Sequence, residues 1–549
     1  MKKCFLSICS LIILSSSVSA QYDGYHEHKD DDYLPPVEEF APRQKGYSVA
    51  SDSIFTIQVN TDEFGNNIPN DAANEPSLGI DPTNPDRMVI GWRQFDNISS
   101  NFRQAGLATS LDNGLSWDNR PPIEAGIFRS DPVLCTDSEG KFYYNSLTSP
   151  FACDVFGSED LEDWREKTFA FGGDKQWMVI DNTDTPSNGN IYAFWKAQLS
   201  ACTGHFTRSV DNGESYEDCT FVDNDPIRGT LAVGPEGEVY ACGEFGATYY
   251  VLRSDSAKDP ASAVQWEAQT TVDLKGRLAM RAGPNPSGML GQVWVAVDHS
   301  ENDTRGNVYL LAPTLRSDNG DVSDMMFSSS TDNGVTWTEA ISINTDNSID
   351  NWQWFGSLSV APNGRIDVTW LDTRDNPGTV LSSLYYSYSM DGGQTWSENR
   401  RMSEAFDPHV GWPQQNKIGD YFHMISEDAG AHLAWTATFN GEQDVYYSFI
   451  PFEEDVSSVS SPLSQINGLT ISPNPASSNF EISFSSKFMQ KAQVTIISSN
   501  SQIMVEQSLD IKVGDQQMLV DVTDWEQGLY YVQLQTQHWS ELRKVLIVK

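Results

Sequence analysis

The residues of this sequence that could do chemistry are arginines, carboxylates, aromatic residues and a few other polar residues at the ends of short predicted strands. A guanidinium group presents a planar pair of N–H donors that matches a carboxylate. A carboxyl group can pass a proton to or from a reacting oxygen. Together these residue types are typical of a glycan pocket. The candidates are Glu75, Arg93, Asp96, Asp131, Asn145, Gln176, Trp177, Lys196, Arg228, Glu244, Arg277, Asp298, His299, Trp354, Asp372, Arg374, Asp420 and Tyr421.

Seven similar units must position these residues. Each unit combines a strand of small residues, a turn with Gly, Pro or Asn, and a second strand that often ends in an aromatic residue. We interpret the second strands as residues 88–92, 141–144, 191–195, 238–241, 292–296, 365–370 and 431–435. Repeated short strands, many aromatic residues and little sign of long helices predict an all-β protein.

An eight-residue motif, Ser-x-Asp-x-Gly-x-Ser/Thr-Trp, returns four times, once with Tyr in place of Trp. The copies span 110–117, 209–216, 330–337 and 389–396. In a hairpin turn the Asp carboxylate can accept unpaired backbone N–H groups, and Gly adopts the positive φ that other residues resist. We therefore predict structural turns built on Asp112, Asp211, Asp332 and Asp391.

These four motifs resemble the Asp-boxes (BNR repeats) of sialidase-like β-propellers. The resemblance implies a closed ring of four-stranded sheets, with the Asp-boxes on the face away from the active site. Seven units favour seven blades, and six, the number in sialidases, is the alternative. In this architecture the starts of first strands and the ends of second strands meet on one face. The candidates named above would then share a central pocket.

The resemblance also implies roles for particular residues. Sialidases use an aspartic acid as general acid/base, a tyrosine nucleophile assisted by a glutamate, and three arginines that hold the substrate carboxylate. Asp96, Tyr421 and Glu244 are the catalytic candidates. The substrate-binding candidates are Arg93, Arg228, Arg277, Arg374, Trp177 and Trp354. One departure matters: the first blade begins Glu75-Pro-Ser, where the family has Arg-Ile-Pro, and an acid there would repel a sialic acid.

Several functions therefore stay open. The first is a glycoside hydrolase of sialidase type that acts on extracellular glycans. The second is a propeller that binds glycan or protein without catalysis, which the missing first-blade arginine favours. A polysaccharide lyase that uses His299 is a third.

Composition limits the partners. Lys plus Arg is 35 and Asp plus Glu is 76, which gives a net charge of −41. Such a surface repels nucleic acids and anionic membranes. Beyond the N-terminal signal, no segment is apolar enough to span a membrane. We expect a monomer that binds an extracellular glycan or glycoprotein.

Cofactors and disulfides are weakly indicated. We predict no metal or cofactor. The alternative is calcium at the oxygen-rich loop 181–190, whose side chains are of the kind that calcium accepts but lack the EF-hand spacing. Cys135, Cys153, Cys202, Cys219 and Cys242 follow the signal, and an odd number cannot pair completely. Cys202 and Cys219 flank the second Asp-box, so they either form a disulfide or remain buried thiols.

The two ends of the chain indicate export. Residues 1–20 have the charged start, apolar run and small-residue site of a secretory signal, and residues 21–53 form an acidic leader. The propeller covers 54–453 and a Ser-rich linker 454–465. Residues 466–549, with Pro473-Asn-Pro475 and a Lys-flanked final strand, resemble the C-terminal sorting domain of the type IX secretion system. That implies contact with this secretion machinery and a protein secreted or held on the outer cell surface. A carbohydrate-binding β-sandwich is the alternative.

Overall fold

The computed structural model describes residues 31–37, 43–51, 53–452, 466–486, 490–498, 503–512, 514–525, 527–536 and 539–549. The predicted signal peptide, much of the leader and the linker lie outside these residues. The chain divides into two compact units, Met1–Phe452 and Glu453–Lys549. Every regular element in the described residues is a β-strand, as the sequence predicts.

The first unit begins with two short strands, β1 (Ser48–Ala50) and β2 (Phe55–Gln58), and continues with six antiparallel sheets. Sheet I contains β3 (Ala72–Ile80), β4 (Met88–Phe95), β5 (Gln104–Ser110) and β6 (Asp118–Ile123). Sheet II contains β7 (Ser130–Thr136), β8 (Phe142–Thr148), β9 (Ala152–Ser158) and β10 (Glu166–Phe169). Sheet III contains β11 (Trp177–Ile180), β12 (Ile191–Phe194) and β13 (Phe206–Ser209).

Sheets IV to VI follow the same order. Sheet IV contains β14 (Leu231–Val233), β15 (Val239–Phe245), β16 (Thr248–Ser254) and β17 (Ala268–Val272). Sheet V contains β18 (Gly276–Leu278), β21 (Trp294–Val297), β22 (Val308–Arg316), β23 (Asp324–Ser330) and β24 (Ile341–Ser342), and the hairpin β19 (Met280–Ala282) and β20 (Asn285–Met289) interrupts it. Sheet VI contains β25 (Gln353–Val360), β26 (Ile366–Asp372), β27 (Ser383–Ser389) and β28 (Arg400–Arg401).

Sheet VII closes the ring with strands from both ends of the unit. It contains β29 (His423–Glu427), β30 (Gly430–Ala437) and β31 (Asp444–Pro451), with β2 paired to β31 and β1 at the edge. The inner strands β3, β7, β11, β14, β21, β25 and β29 each contact the next, and β29 contacts β3. The first unit is therefore a β-propeller. We call the face where inner strands begin the upper face and the opposite one the lower face.

Left-handed backbone recurs where inner strands begin. A buried non-Gly residue in this conformation costs about 1–3 kcal/mol and persists only where its surroundings impose it. Sheets I, II and VI have a β-bulge at this point, which redirects the next side chains. The residues and their φ values are Glu75 (52°), Asp131 (47°), Lys175 (59°), Arg228 (61°), Gly291 (129°), Phe355 (52°) and Gly419 (96°).

The four repeated turns each follow the third strand of a sheet and have nearly identical hydrogen bonds. In the fourth copy Ser389 Oγ donates to Asp391 Oδ1 at 2.8 Å, and Thr395 Oγ1 donates to Asp391 Oδ2 at 2.6 Å. The Thr395 N–H also donates to Asp391 Oδ1, and the Trp396 indole N–H donates to Gly393 O. Asp112, Asp211 and Asp332 make the equivalent contacts. Because third strands run parallel to inner strands, these turns lie on the lower face.

One strand interpretation is wrong. Residues 294–296 of the interpreted second strand 292–296 belong to β21, the inner strand of sheet V, and the second strand of that sheet is β22. The hairpin β19–β20 and the loop before β22 break the spacing on which the interpretation rested. His299 therefore follows an inner strand and lies at the lower face. The disulfide joins Cys202 to Cys219, one of the two alternatives that the sequence left open.

The second unit packs two sheets around one apolar core. The first sheet has the order β32 (Ile466–Ser472), β33 (Asn479–Ser486), β36 (Gly514–Asp521), and the second has β35 (Ile503–Ile511), β34 (Gln490–Ser498), β37 (Gly528–Thr536), β38 (Trp539–Ile547). Phe480, Val494, Val532 and Val545 are fully buried between them. Across the described parts of both units, we find no helix long and apolar enough to cross a membrane.

Candidate functional site

Buried charged residues converge at the upper end of the ring axis. This axial ion cluster consists of Glu75, Arg93, Asp131, Lys175, Lys417 and Asp420. Lys175 Nζ lies 2.6 Å from Asp420 Oδ2 and 3.6 Å from Asp131 Oδ2. Lys417 Nζ lies 2.8 Å from the same Asp420 oxygen and 3.5 Å from Glu75 Oε1. Arg93 Nη2 lies 3.2 Å from Glu75 Oε1, so charge pairing links sheets I, II, III and VII.

The axial ion cluster contains three acids and three cations. Burial raises the pKa of Glu75 to about 8, although Arg93 and Lys417 oppose that shift. Burial also tends to raise the pKa of Asp420. The positive charges of Lys175 and Lys417 outweigh this effect and hold the pKa of that carboxyl far below its usual range. Asp420 is therefore the firmly ionised acid of the cluster.

Tyr421, the predicted nucleophile, lies directly beside this cluster and is 2% exposed. Its hydroxyl donates a 2.7 Å hydrogen bond to the Pro132 carbonyl oxygen. Burial, together with the negative charges of Glu75 and Asp131, raises the pKa of Tyr421 well above its usual value. In this arrangement the phenol keeps its proton and is a poor nucleophile.

Asp96, the predicted acid/base, lies just after β4. Its hydrogen-bond partners are residues other than Tyr421. Its Oδ1 accepts a hydrogen bond from Gln94 and its Oδ2 accepts one from Gln104. Tyr33, in the leader, donates its hydroxyl to Asp96 Oδ2 at 3.0 Å. Asp31 binds the Asn101 N–H of the same loop at 2.7 Å. Leader residues 31–37 therefore lie against the loop that carries Asp96.

Three predicted residues lie at a cleft between sheets IV and V. Glu244, at the end of β15, accepts a 3.1 Å hydrogen bond from Arg228 Nη1 and a 2.8 Å one from the Ala247 N–H. Glu244 and the exposed Arg277 of β18 line a cavity of about 590 Å³, together with Arg281 of the hairpin and Trp352. The apolar part of the cavity lining comes from Leu278, Leu290 and Leu315. We call this the arginine cleft and define it by Glu244, Arg277, Arg281, Leu290 and Trp352.

The remaining predicted residues lie elsewhere. Arg374 pairs with Asp372 at 2.6 Å and with Asp346 at 3.7 Å, and its guanidinium lies over the Tyr385 ring. Trp354 is fully buried, with its indole N–H donating to Ser382 Oγ. Trp177 packs edge-on against Tyr421, with ring centroids 5.6 Å apart, beneath the axial ion cluster. Arg93 belongs to that cluster. The structure thus groups Arg228 with Arg277 but assigns Arg374 other partners.

Sequence reasoning missed Lys175, Lys417, Arg281 and Trp352. Lys175 directly precedes Gln176-Trp177, so the repeated strand-start position was the signal that could have found it. Lys417 meets Glu75 from 342 positions further along the chain, and no local pattern encodes such a contact. Arg281 depends on the hairpin β19–β20, which has no counterpart in the other six sheets of the propeller as the structure describes it.

The oxygen-rich loop 181–190 is held by its own hydrogen bonds. Asp181 Oδ1 accepts from the Thr183 N–H and hydroxyl, and Oδ2 accepts from Ser187 Oγ at 2.6 Å. Within the described residues, no three His, Cys, Asp or Glu side chains are arranged to hold a metal ion.

Solved structures share loose similarity with this chain. A protein of unknown function from Dyadobacter fermentans is 13% identical, with a TM-score of 0.43 over 73% of this chain and 100% of that one. A polysaccharide lyase described as an ulvan lyase is 12% identical, with a TM-score of 0.37 over 70% and 94%. The sialidase of Trypanosoma rangeli is 10% identical, with a TM-score of 0.36 over 92% and 90%. Similarity at this level supports no argument about activity.

Sequence comparison is informative for the second unit. No curated protein matches the chain. Residues 470–549 match the family model described as a secretion system C-terminal sorting domain. The matched residues form the two-sheet unit described above, which identifies that unit. This protein therefore carries a type IX secretion C-terminal sorting domain and is secreted or attached to the outer cell surface.

Proposed function

We propose that this exported propeller binds a carboxylate-bearing glycan through the arginine cleft, without cleaving it. The observation that carries the proposal is the convergence of Arg277, Arg281, Glu244 and Trp352 on one cavity. Its volume lies within the range of small-ligand sites, about 300–1,000 Å³. A guanidinium can hold a sugar carboxylate, a carboxylate can accept hydroxyl hydrogen bonds, and an indole offers a face for a sugar ring.

The charge around the cleft supports an anionic ligand. The whole chain has a net charge of −41, yet Arg277 and Arg281 are both exposed here. Lys196, on the same face, has its pKa lowered by burial, and the nearby positive charge of Arg228 contributes to that shift. Lys196 is paired with Asp174 at 3.4 Å and Arg228 with Glu244 at 3.1 Å, so the positive charge at the cleft comes from Arg277 and Arg281. A local cationic group can override a distant acidic surface, because salt screens charges more than about 10 Å apart.

Backbone conformation gives a second argument. Arg228 and Arg281 have φ values of 61° and 52°, in the left-handed region that arginine rarely adopts. Such strain concentrates at ligand sites, where the surroundings impose it. Arg228 shares this conformation with the other inner-strand starts, whereas Arg281 lies in the hairpin outside that repeat, so the strain at Arg281 favours a binding role for the cleft.

The buried phenol and the leader contact favour binding over hydrolysis. A tyrosine nucleophile needs a base that removes its proton, but the Tyr421 hydroxyl donates to a backbone carbonyl. Asp96 accepts three hydrogen bonds from protein groups, one of them from the leader. A hydrolase with Asp96, Tyr421 and Glu244 in catalytic roles remains the competing hypothesis.

The test is binding of oligogalacturonate, which has a carboxylate on each sugar, and of its methyl ester, which has none. We expect the acid to bind in calorimetry and the ester to bind much more weakly. Arg277→Ala should weaken binding about 10- to 100-fold, the value of a charge-assisted contact. Arg305→Ala, which removes an exposed arginine on the loop before β22, is the matched control. Equal losses in both variants would reject the cleft, as would equal binding of acid and ester.

Turnover separates the competing functions. Purified protein is incubated with sialyl-lactose and with oligogalacturonate, and products are followed by mass spectrometry and by ultraviolet absorbance. We expect no product. Released sugar that disappears in Tyr421→Phe would support the hydrolase, and an unsaturated product absorbing in the ultraviolet would support a lyase.

A further inference from the structure

The hairpin β19–β20 carries the exposed Arg281 of the arginine cleft, and all of β19 lines that cavity. The two strands form a sheet of their own rather than an extension of sheet V. A two-stranded hairpin is only marginally stable in water by itself. The position of Arg281 in the cleft therefore depends on the contacts that hold this hairpin against the ring.

Asn285, the first residue of β20, ties the hairpin to the segment that leads into sheet VII. Its side chain is fully buried. Its Nδ2 donates to the Met289 carbonyl oxygen at 2.6 Å and to the Gly419 carbonyl oxygen at 2.8 Å. Its Oδ1 accepts the Ile418 N–H at 3.0 Å. One side chain thus closes the hairpin and links it to residues 133 and 134 positions away.

Asp420 supplies a second attachment from the same segment. Its Oδ1 accepts the N–H of Met289, at the end of β20, at 2.8 Å. Its Oδ2 is the oxygen that the two lysines of the axial ion cluster share. A Cβ atom on Gly288 would lie only 2.8 Å from the Gly419 carbonyl oxygen, so the two backbones are in close contact. The end of β20 is therefore packed against the axial ion cluster.

The turn of the hairpin is held separately, by His409 and Trp352. His409 Nε2 donates to the Gly283 carbonyl oxygen at 3.2 Å. The Trp352 ring lies so close to Gly283 that a side chain at this position would collide with it. Between the two attachments, the pairing of β19 with β20 shifts register at Arg281, whose φ is 52°. Such a shift redirects a side chain, so the attached hairpin determines where Arg281 lies in the cleft.

We infer that Asn285 is a positioning residue for the arginine cleft, and that it fixes Arg281 in place before a ligand carboxylate arrives. The inference rests on the proposed function and adds a residue that does not touch the ligand, because Asn285 is fully buried and lies outside the cavity lining. A group that is already fixed avoids the entropy cost of ordering a long side chain on binding. The axial ion cluster then supports the cleft, since Asp420 holds the strand that Asn285 closes.

The first test compares calorimetric binding of oligogalacturonate by the natural protein and by Asn285→Ala. We expect binding to weaken about 3- to 10-fold, the cost of ordering one long side chain. Asn190→Ala is the matched control, because Asn190 is also buried and donates to a backbone carbonyl oxygen, that of Lys258, at the lower face. The control should bind as the natural protein does. Equal weakening in the two variants would overturn the inference.

A double-mutant cycle shows whether Asn285 acts through Arg281. In a protein that carries Arg281→Ala, the further change Asn285→Ala should have no effect on binding. In a protein that carries Arg277→Ala, the same change should weaken binding as much as it does in the natural protein. Equal losses in both backgrounds would show a general effect on the fold and would contradict the assigned role.

Amide hydrogen exchange examines the hairpin without any ligand. Asn285→Ala should accelerate exchange in residues 279–290 and leave the exchange of sheet III unchanged. Failure of the natural protein to bind oligogalacturonate would reject the proposed function, whereas unchanged exchange in the hairpin would reject the attachment by Asn285, whatever the protein binds.

A second variant keeps the test decisive if Asn285→Ala does not fold. His409→Ala changes a half-buried residue and removes the hydrogen bond to the turn at Gly283. We expect faster exchange in the hairpin and weaker binding, with the loss of binding absent in the Arg281→Ala background. Unchanged exchange and unchanged binding would show that Arg281 does not depend on how the hairpin is attached, and would overturn the inference.

Discussion

Lys175 Nζ lies 2.6 Å from Asp420 Oδ2, although 245 positions separate the two residues in the chain. Lys175 directly precedes the inner-strand region of sheet III, and Asp420 lies just before the inner strand of sheet VII. Their contact therefore crosses the ring rather than following its circumference. The same carboxylate oxygen also accepts from Lys417 at 2.8 Å. The ion pairs at the ring axis therefore join side chains from different sheets.

Removal of one central cation should destabilise the propeller. Lys175→Met leaves Asp131 and Asp420 buried with less compensating charge, and breaking a buried pair in this way costs about 3–5 kcal/mol. Urea unfolding followed by tryptophan fluorescence measures the change. Lys141→Met is the control, because its pair with Glu166 at 3.1 Å is exposed and is worth about 1 kcal/mol or less. Equal effects of the two substitutions would contradict the structural role of the axial ion cluster.

Stability should fall as the pH rises through neutrality, partly because of Asp444 where β31 begins. Burial raises the pKa of Asp444 to about 7, and Glu442 adds to the shift. The pKa of the unfolded chain is about 3.9. The folded state therefore binds the proton more tightly, and this contribution is complete below about pH 4 and lost as the pH passes 7.

Asp444→Asn should make the free energy of unfolding less dependent on pH between about 5 and 8. It should also stabilise the protein at pH 8, since the amide needs no proton. Denaturant titrations at several pH values measure this. Asp428→Asn, at an exposed position, is the control. A variant with the same pH dependence as the natural protein would refute the assignment to Asp444.

The repeated turns should contribute modestly and separately to stability. Asp391→Ala removes the acceptor of three hydrogen bonds from Ser389 and Thr395. We expect a melting temperature lower by about 1–3 °C, which is small because the unit is large. Met390→Ala, at an exposed position of the same turn, should have no effect. If Asp391→Ala does not fold, the expectation that each turn makes a small and separate contribution to stability is wrong.

Closure of the ring should depend on β2. This strand pairs with β31, and Thr56 Oγ1 lies 2.8 Å from Ser448 Oγ across the pair. A chain that begins at Val59 lacks β2, and its ring should open to proteolysis between the two ends of the propeller. A chain that begins at Ser51 lacks the leader and β1 but keeps β2, and it should resist. Limited proteolysis with mass spectrometry distinguishes them, and equal resistance of both chains would contradict this role.

Local sequence determined the repeated parts of this protein. The four turns form where Ser, Asp, Gly and Ser/Thr recur, because the Asp carboxylate and the Gly conformation act within eight residues. Six of the seven interpreted second strands lie at the second position of their sheets, because pattern and turn signals are short-range. The final 80 residues reveal the sorting domain in the same way, through motifs carried by single strands.

Tertiary structure decided the candidate sites, because those contacts join residues far apart in the chain. The pairing of Lys417 with Glu75 joins the last sheet of the ring to the first, and nothing near either residue encodes it. The arginine cleft needs the hairpin β19–β20, which broke the repeat and displaced His299 to the lower face. The burial of Tyr421 and the contact of Tyr33 with Asp96 depend on packing between elements. Sequence thus fixes which turns and strands form, whereas closure of the ring decides which side chains meet.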